Sequence, residues 1–338
     1  MRSILKMKKI IASALFITFV AACQDNDKAI SSTDGTSWKP RQNIELVAPS
    51  GAGGGWDTTA RMVAKVLQEN KIIEKGMGVI NKTGGGGAIG WAYIASKKGN
   101  PHHLFVTSPP IIYIPLNGQS SYNYQDFTPI VNLLADYGAF AVRADAKWDN
   151  LNDLFEDMRN DPQSITVIGS SSPGSMNHLM FAQFADEAGV DIQKIKYISE
   201  QDGGLITNIL NGSADVLSGS VSYILEQVRA GNMKVLAVTS AERLPGDANI
   251  FPTAKEQGID STYINWRGIF APKDISPAAV KYYEEAFTEL VNSDEWKAIR
   301  ANYGWDEMFI SHAEYPQFLE TQQKRAESLL EKLNIRKR

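Results

Sequence analysis

The chain has 338 residues, with 34 lysine and arginine side chains against 38 aspartate and glutamate side chains, four histidines and one cysteine. This acidic balance argues against nucleic acid or a polybasic membrane patch as the binding partner, and a single cysteine excludes a disulfide within the chain. So few histidines and cysteines, without clustered spacing, argue against a structural metal site. The length exceeds the size at which single hydrophobic cores stop growing, so two lobes are expected.

The N-terminus has the pattern of a secretory signal. Basic residues within 2–9 precede an apolar run at 10–20, which is shorter than the ~20 residues that span a bilayer. The run ends in VAAC, the pattern of a bacterial lipoprotein box, in which the cysteine is lipidated. We therefore predict a lipoprotein signal peptide over 1–23 and lipidation at Cys23. An ordinary signal with a leftover cysteine is the alternative, and either Met1 or Met7 could be the start.

The segment 24–40 is polar and aperiodic, and is expected to form a flexible tether between the lipid and the folded protein. Residues 1–23 contain four basic side chains and no acidic ones, so the mature chain has 30 basic against 38 acidic side chains. On such a surface an anionic ligand must be held by local donors.

The first lobe is predicted from alternating strands and helices. Strand patterns cover 44–48, 78–80 and 104–107. The first strand leads into an amphipathic helix with Asp57 as its cap, and the second leads into a helix over 88–97.

The second lobe repeats this alternation. Strands are predicted at 138–143, where the chain leaves the first lobe, and at 164–168, 196–198, 214–217 and 235–238. One helix is predicted at 150–159. A second is predicted to start at Ser172, with Pro173 just inside, and to stop at Gly189. Two more are predicted, one that ends at about Leu210 and one between the last two strands.

The rest of the chain is predicted to return to the first lobe. A hydrophobic strand begins at 263, and helices are predicted over 277–292, 294–302 and 312–335. The alternation of strands and helices predicts an α/β protein with parallel sheets and covered faces. The expected organisation is lobe 1 from 41–140 and 264–338, and lobe 2 from 141–263, joined by two crossings of the chain.

Two glycine-rich loops each lie between a predicted strand and a predicted helix, PSGAGGGWD at 49–57 and NKTGGGGAIG at 81–90. In open parallel sheets, ligands bind beyond the carboxyl ends of the strands. Main-chain N–H groups at a helix N-terminus bind anions without any basic side chain. The loops therefore predict a site for a small carboxylate or phosphate. Alternatively, the glycines only permit positive φ angles in tight turns.

A nucleotide cofactor is not predicted. Gly85, Gly87 and Gly90 satisfy G-x-G-x-x-G, but the acidic residue expected about 20 positions later is missing, and neither loop has a P-loop ending. No cofactor is expected from any other pattern in the chain.

Serine-dependent catalysis is the enzymatic alternative. Ser175 and His178 are three apart on a predicted helix, near Ser171 and Ser172. There is no G-x-S-x-G elbow and no assignable aspartate, so capping and packing roles are favoured for these residues. No paired carboxylates suggest acid–base chemistry.

Three tryptophans and one arginine receive separate predictions. Trp56 lies within the first loop and is expected to wall a pocket, whereas Trp296 and Trp305 are expected to pack among the C-terminal helices. Arg267, on the returning strand, either anchors the hinge or faces the ligand, and the hinge is favoured.

Seven segments together resemble the substrate-binding receptors of tripartite tricarboxylate transporters, in the family's order and over nearly the whole mature chain. They are APSGAGGGWDTTAR (48–61), NKTGGGGAIG (81–90), DFTPI (126–130), SSPGSMNHL (171–179), KVLAVTSAER (234–243), FPTAKEQG (251–258) and WRGIFAP (266–272).

The resemblance implies a type II periplasmic-binding-protein fold, in which two lobes close over a small anion in the cleft between them. It also implies that main-chain amides and ordered water hold one ligand carboxylate. Carried over, this proximal site consists of Gly51, Ala52, Gly53, Gly54, Gly55, Trp56, Asp57, Gly85, Gly86 and Gly87. The remainder of the ligand would face Ser108, Ser171, Gly174, Ser175, His178, Asp202 and Ser220.

The function implied by the resemblance is binding without chemistry. Trp56 in place of a threonine resembles the tricarboxylate branch, which suggests citrate or a related acid. The implied partners are one large and one small integral membrane subunit of a transporter. We expect a monomer held by its lipid in the periplasm or at the outer face of the cell membrane. The alternatives are a Ser175–His178 hydrolase on the same fold and a sensor that presents its ligand to a signalling protein.

Overall fold

Strands and helices alternate along residues 37–200 and 204–335, the parts of the chain that the computed structural model describes. The strands are β1 (Ile44–Ala48), β2 (Met77–Asn81), β3 (His103–Thr107), β4 (Phe127–Arg143), β5 (Thr166–Gly169), β6 (Lys196–Ser199), β7 (Val216–Ser220), β8 (Met233–Val238), β9 (Ile264–Pro272) and β10 (Asp306–Ile310). The helices are α1 (Gly55–Glu69), α2 (Ala88–Ala95), α3 (Pro110–Leu116), α4 (Leu151–Asn160), α5 (Met176–Glu187), α6 (Leu205–Leu210), α7 (Val221–Arg229), α8 (Pro277–Asn292), α9 (Asp294–Tyr303) and α10 (Tyr315–Lys332).

One long strand, β4, belongs to both halves of the sheet. Up to Tyr137, which pairs with Ile264, it runs antiparallel to β9, and from Gly138, which pairs with Ser220, it runs antiparallel to β7. On one side of this junction β9 leads to β3, β1 and β2, and on the other β7 leads to β5 and β6. The chain thus passes between the halves through β4 and returns near the start of β9.

The prediction of parallel sheets is correct for the outer strands and wrong for the middle of the sheet. The pairs β1–β2, β1–β3, β5–β6 and β5–β7 are parallel, whereas β4 and β9 run antiparallel to each neighbour. Parallel pairing needs a crossover connection between the strands of one half, whereas β4 and β9 enter each half from the other.

Strand β4 begins at Phe127 rather than at residue 138. Its pairing with β9 shifts register between Pro129 and Val131 and again between Asn132 and Leu134. These register shifts, together with the polar residues within β4, break the alternation of apolar and polar residues from which strands are predicted. Helix α3 and strand β10 were also not predicted; α3 begins at Pro110, and Pro115 lies inside it.

Two predicted helix starts are wrong. Helix α1 begins at Gly55 with Gly54 as its N-cap, so Asp57 lies inside the first turn rather than at the cap. Helix α5 begins at Met176 and not at Ser172, because Gly174 has a φ of +76° that interrupts the helical path. The predicted stop is confirmed, since Gly189 has a φ of +78° directly after the C-cap of α5.

The core contains large aromatic side chains, including Trp91 and Trp266, which are fully buried. Trp296 and Trp305 are buried with ring centroids 6.2 Å apart, which confirms their predicted packing role. Among the described residues, no helix combines the length and the apolar character needed to cross a bilayer. Cys23, the signal peptide and the tether up to residue 36 lie outside the described residues. The lobe boundaries stay predictions.

Candidate functional site

The two glycine loops lie side by side because the strands before them are neighbours. Ala48 at the end of β1 pairs with Asn81 at the end of β2. The Asn81 side chain then ties the loops together, since Nδ2 donates to the Ser50 carbonyl (2.9 Å) and to Asp57 Oδ1 (2.8 Å). A Cβ added at Gly51 would be 4.0 Å from Thr83 Oγ1 of the second loop. Two loops separated in sequence thus form one surface.

Asp57 organises the first loop from within. Its side chain is buried, and Oδ2 accepts hydrogen bonds from the Gly53 N–H (2.9 Å) and from Arg61 Nε (3.0 Å). Arg61 Nη2 also lies 2.9 Å from Oδ1. Burial by itself raises the pKa of the Asp57 carboxyl, but the hydrogen bonds from Arg61, Gly53 and Asn81 outweigh it and hold that pKa below its usual value. The carboxylate oxygens therefore bind protein groups.

The first loop exposes main-chain donors at the start of α1. Its N-cap, Gly54, provides no side-chain hydrogen bond, and no described residue accepts from the N–H groups of Gly55 and Trp56. Gly51, Ala52, Gly53 and Gly55 are exposed, whereas Gly54 is half-buried. An uncapped helix N-terminus with free N–H groups carries a partial positive charge that favours an anion.

The second loop is built from four consecutive glycines in the positive-φ region. The φ angles of Gly84, Gly85, Gly86 and Gly87 are +132°, +58°, +63° and +114°. Side chains at these positions would be strained, so the conformational alternative explains why this loop contains glycines. The loop still presents its backbone, because Gly85 and Gly86 are exposed and no described residue accepts from their N–H groups.

Trp56 joins both loops to the end of β3. Its Nε1 donates to Ser108 Oγ at 2.9 Å, and its ring lies 6.5 Å from that of Trp91. A Cβ added at Gly87 would be 3.1 Å from the Trp56 ring. Trp56 is only 9% exposed, so its ring packs beneath the loops and offers little exposed surface as the wall of a pocket.

A serine-rich loop precedes α5 in the second half of the molecule. Ser171 Oγ accepts from the Asn177 N–H (2.7 Å), and the Tyr197 hydroxyl donates to the Ser171 carbonyl (2.8 Å). The Gly174 N–H donates to His178 Nδ1 (2.9 Å), and the His178 ring stacks on Tyr197 with centroids 4.6 Å apart. Capping and packing thus account for Ser171 and His178.

The geometry does not form a Ser175–His178 catalytic pair. His178 Nδ1 already accepts a hydrogen bond, so in the neutral ring the proton is on Nε2 and neither nitrogen is a free base. Burial lowers the pKa of His178 to about 4. Ser175 is the buried N-cap of α5.

Ser220, at the end of β7, belongs to a buried polar cluster where β4 passes between the halves. Asp136 Oδ2 accepts from Ser220 Oγ (3.0 Å), Asn265 Nδ2 (3.2 Å) and Arg267 Nη2 (2.8 Å). The ion pair between Asp136 and Arg267 agrees with the hinge interpretation of the arginine. Asp136 and Asn265 were not predicted, because no local sequence pattern marks them.

One further contact connects the two halves near the predicted site. Asn117 Nδ2, at the C-terminus of α3, donates to the Gly174 carbonyl at 3.1 Å. Asp202 lies outside the described residues, and its proposed role stays a prediction. Among the residues described, no group of three or more histidine, cysteine, aspartate or glutamate side chains could hold a metal ion.

A family model described as "Tripartite tricarboxylate transporter family receptor" matches residues 59–335. A TctC solute-binding protein from Polaromonas is 27% identical, with 87% of this chain and 99% of that one covered and a TM-score of 0.69.

Two further solved structures share the fold at lower identity. An R. palustris protein with adipate is 22% identical, with 88% and 99% covered and a TM-score of 0.77. MatC from Rhodopseudomonas palustris with bound malate is 19% identical, with 86% and 99% covered and a TM-score of 0.73. The predicted two-lobed α/β periplasmic-binding-protein fold is confirmed.

Proposed function

Because the chain belongs to the tripartite tricarboxylate transporter receptor family, we propose that it captures a small organic acid and delivers it to a membrane transporter of that class. Members of this family are solute-binding receptors rather than enzymes.

The observation that carries the proposal is the joined surface of the two glycine loops. The N–H groups of Gly55 and Trp56 at the uncapped end of α1, and those of Gly85 and Gly86 beside them, lack acceptors among the described residues. Such N–H groups can donate to the oxygens of a carboxylate. Because the backbone already orients them, binding costs little further conformational entropy.

The proposed ligand is a di- or tricarboxylate, as the names of the two R. palustris structures, with adipate and with malate, also suggest. The charges around the loops favour two carboxylates over the three of a citrate-like acid. Arg61 of α1 is already paired with Asp57. A third ligand carboxylate would have no unpaired arginine in these loops to neutralise it.

In the proposed mechanism, the first carboxylate binds to the glycine loops and the rest of the ligand contacts the second lobe. Ser171, Gly174, Ser175, His178 and Ser220 would form that side, together with Asp202. Ligand shifts the equilibrium towards the closed form only by its extra affinity for that form, so contacts from both lobes are essential. The closed receptor then docks on the membrane subunits.

We propose that lipid on Cys23 holds the receptor, a monomer, at the membrane. Attachment raises its effective concentration near the transporter. Mass spectrometry of the mature N-terminus tests this proposal: a diacylglycerol-modified cysteine is expected. A free cysteine in a soluble, signal-cleaved chain would contradict it.

Isothermal titration calorimetry of the mature protein with malate, adipate and citrate tests the ligand class. Saturable binding with one site per chain and no product in the recovered ligand is expected. Substitution of Gly54 or Gly86 by leucine should weaken binding more than loss of any one side chain in the site. If none of the three acids binds the wild type, the proposed ligand class is wrong.

A further inference from the structure

Arg267 occupies a position that its ion pair with Asp136 does not explain. Its guanidinium lies against Gly55, the first residue of α1: a Cβ added there would be 2.5 Å from Nη2 and 3.0 Å from Nη1. A cation at a helix N-terminus meets the positive end of the helix dipole, which is unfavourable unless negative charge is close by. The one carboxylate paired with the guanidinium is that of Asp136.

The Arg267 guanidinium also retains unused donors. Nη2 donates to Asp136 Oδ2 at 2.8 Å, but Nη1 donates to no described residue, and Nε is buried without an acceptor. The residue is only 6% exposed, so few water molecules can replace the missing acceptors. A buried donor without a partner is costly, and Nη1 remains available to donate to an anion in the cleft.

We propose that Arg267 is a ligand-binding residue, whose guanidinium donates to the carboxylate that the N–H groups of Gly55 and Trp56 also bind. This inference rests on the proposed function and adds a charged contact to its main-chain site. The absence of a side chain at Gly55 leaves the space in which the guanidinium reaches the helix end.

In this arrangement Asp136 both positions the guanidinium and competes with the ligand for it. Ser220 Oγ of β7 donates to the same Asp136 oxygen at 3.0 Å. When the ligand draws Arg267 towards itself, the hydrogen bonds that Asp136 makes across the junction of the halves change with it. Capture of the acid is thereby coupled to the position of the second lobe.

Single substitutions of Arg267 and of Asp136 are expected to change the affinity for malate in opposite directions. Arg267→Gln keeps an amide donor but removes the charge, and should weaken binding at least about tenfold, the worth of one charge-assisted hydrogen bond. Asp136→Asn removes the competing charge and should strengthen binding severalfold. If Arg267 were only a structural partner of Asp136, both substitutions would weaken binding or leave it unchanged, and that result would overturn the inference.

A double variant and a matched control separate binding from folding. Each single substitution leaves one buried group of the ion pair uncompensated, whereas Arg267→Gln with Asp136→Asn replaces the pair by two neutral amides. We expect this double variant to fold and to bind malate more weakly than the wild type; equal affinity would overturn the inference. Arg243→Gln removes the same charge from an exposed pair with Glu256 (2.8 Å) and should bind as the wild type does.

Acetate distinguishes failure of this inference from failure of the proposed function. If the wild type binds none of malate, adipate and citrate, the proposed ligand class is wrong, and the carboxylate site is tested by thermal shift at high acetate concentration. A rise in melting temperature for the wild type that is absent in the double variant supports Arg267 as a carboxylate contact. Equal rises, or no rise in either protein, overturn it.

Discussion

In the first glycine loop only Gly53 has a positive φ, +79°, whereas all four glycines from Gly84 to Gly87 of the second loop do. Both loops lie between a strand and a helix and both expose N–H groups. In the second loop the backbone path itself requires glycine. The other glycines of the first loop do not have a positive φ, so their backbone conformations do not exclude other residues. Another constraint must therefore require glycine there.

That constraint is space around the first turn of α1. A side chain at Gly55 would collide with the Arg267 guanidinium at 2.5 Å, and one at Gly54 would lie 3.1 Å from the Gly51 carbonyl oxygen. The difference between the loops teaches that glycine is required by the backbone conformation in the second loop and by the space around the helix end in the first, although the N–H groups of both are proposed to bind the ligand. Substitutions should therefore separate the two roles.

The largest effect is expected for Gly87→Ala. The φ of +114° is strained for alanine, and its Cβ would be 2.7 Å from the Trp91 ring. Strain and overlap together should lower the free energy of unfolding by about 3 kcal/mol. The control is Gly258→Ala, which has a φ of +84° but no atom within 4 Å, and should cost only about 1 kcal/mol. Equal losses in urea denaturation would show that crowding at the second loop is unimportant.

Gly55→Ala should affect binding more than stability. The new methyl group displaces the Arg267 guanidinium, so malate affinity should fall at least about tenfold while the free energy of unfolding changes by about 1 kcal/mol. Gly51→Ala is the stability control, because its nearest neighbour is 4.0 Å away and it should change that free energy by less than about 0.5 kcal/mol. A loss of stability as large as that of Gly87→Ala would abolish the proposed distinction between the loops.

A smaller effect is expected where the first loop meets the end of β3, at the hydrogen bond from Trp56 Nε1 to Ser108 Oγ. A double-mutant cycle with Trp56→Phe and Ser108→Ala should give a coupling energy of about 1 kcal/mol in urea denaturation. The cycle cancels the loss of packing energy that each single substitution causes by itself. A coupling near zero would mean that Trp56 is held against the end of β3 by packing alone.

Of the two loops, only the first contains an acidic residue, so a pH-dependent contribution to stability is expected from the first loop and not from the second. The folded-state pKa of Asp57 lies below its ordinary value of 3.8, so its contribution to stability is present above that value and is lost as the pH falls through the folded-state pKa. Asp57→Asn should therefore lose most stability near neutral pH and approach the wild type in acid. A difference that is constant between pH 7 and pH 3 would contradict this role.

Regular elements could be predicted closely from the sequence. Strand β1 was predicted at 44–48 and α8 at 277–292, and both have those bounds in the structure. Their hydrophobic periods and end signals lie within the segment itself. The start of α5 was predicted wrongly, because Ser172 and Pro173 have the pattern of a cap while the φ of Gly174 depends on contacts made elsewhere.

The candidate site could be predicted only where its groups follow one another in the chain. The glycine loops are visible as runs, and their meeting follows from the pairing of β1 with β2. The cluster of Asp136, Ser220 and Arg267 joins residues 84 and 131 positions apart. No local pattern marks such a cluster, since the topology of β4, β7 and β9 alone brings it together.

A titration of glycine-selectively ¹⁵N-labelled protein with malate, followed by amide NMR, tests the central claim most directly. If main-chain N–H groups of both loops hold the carboxylate, the largest shifts should occur at Gly55, Gly85 and Gly86. Gly231 and Gly258, which lie outside the loops, should stay unchanged. Saturable binding with no shift at the loop glycines would contradict the account.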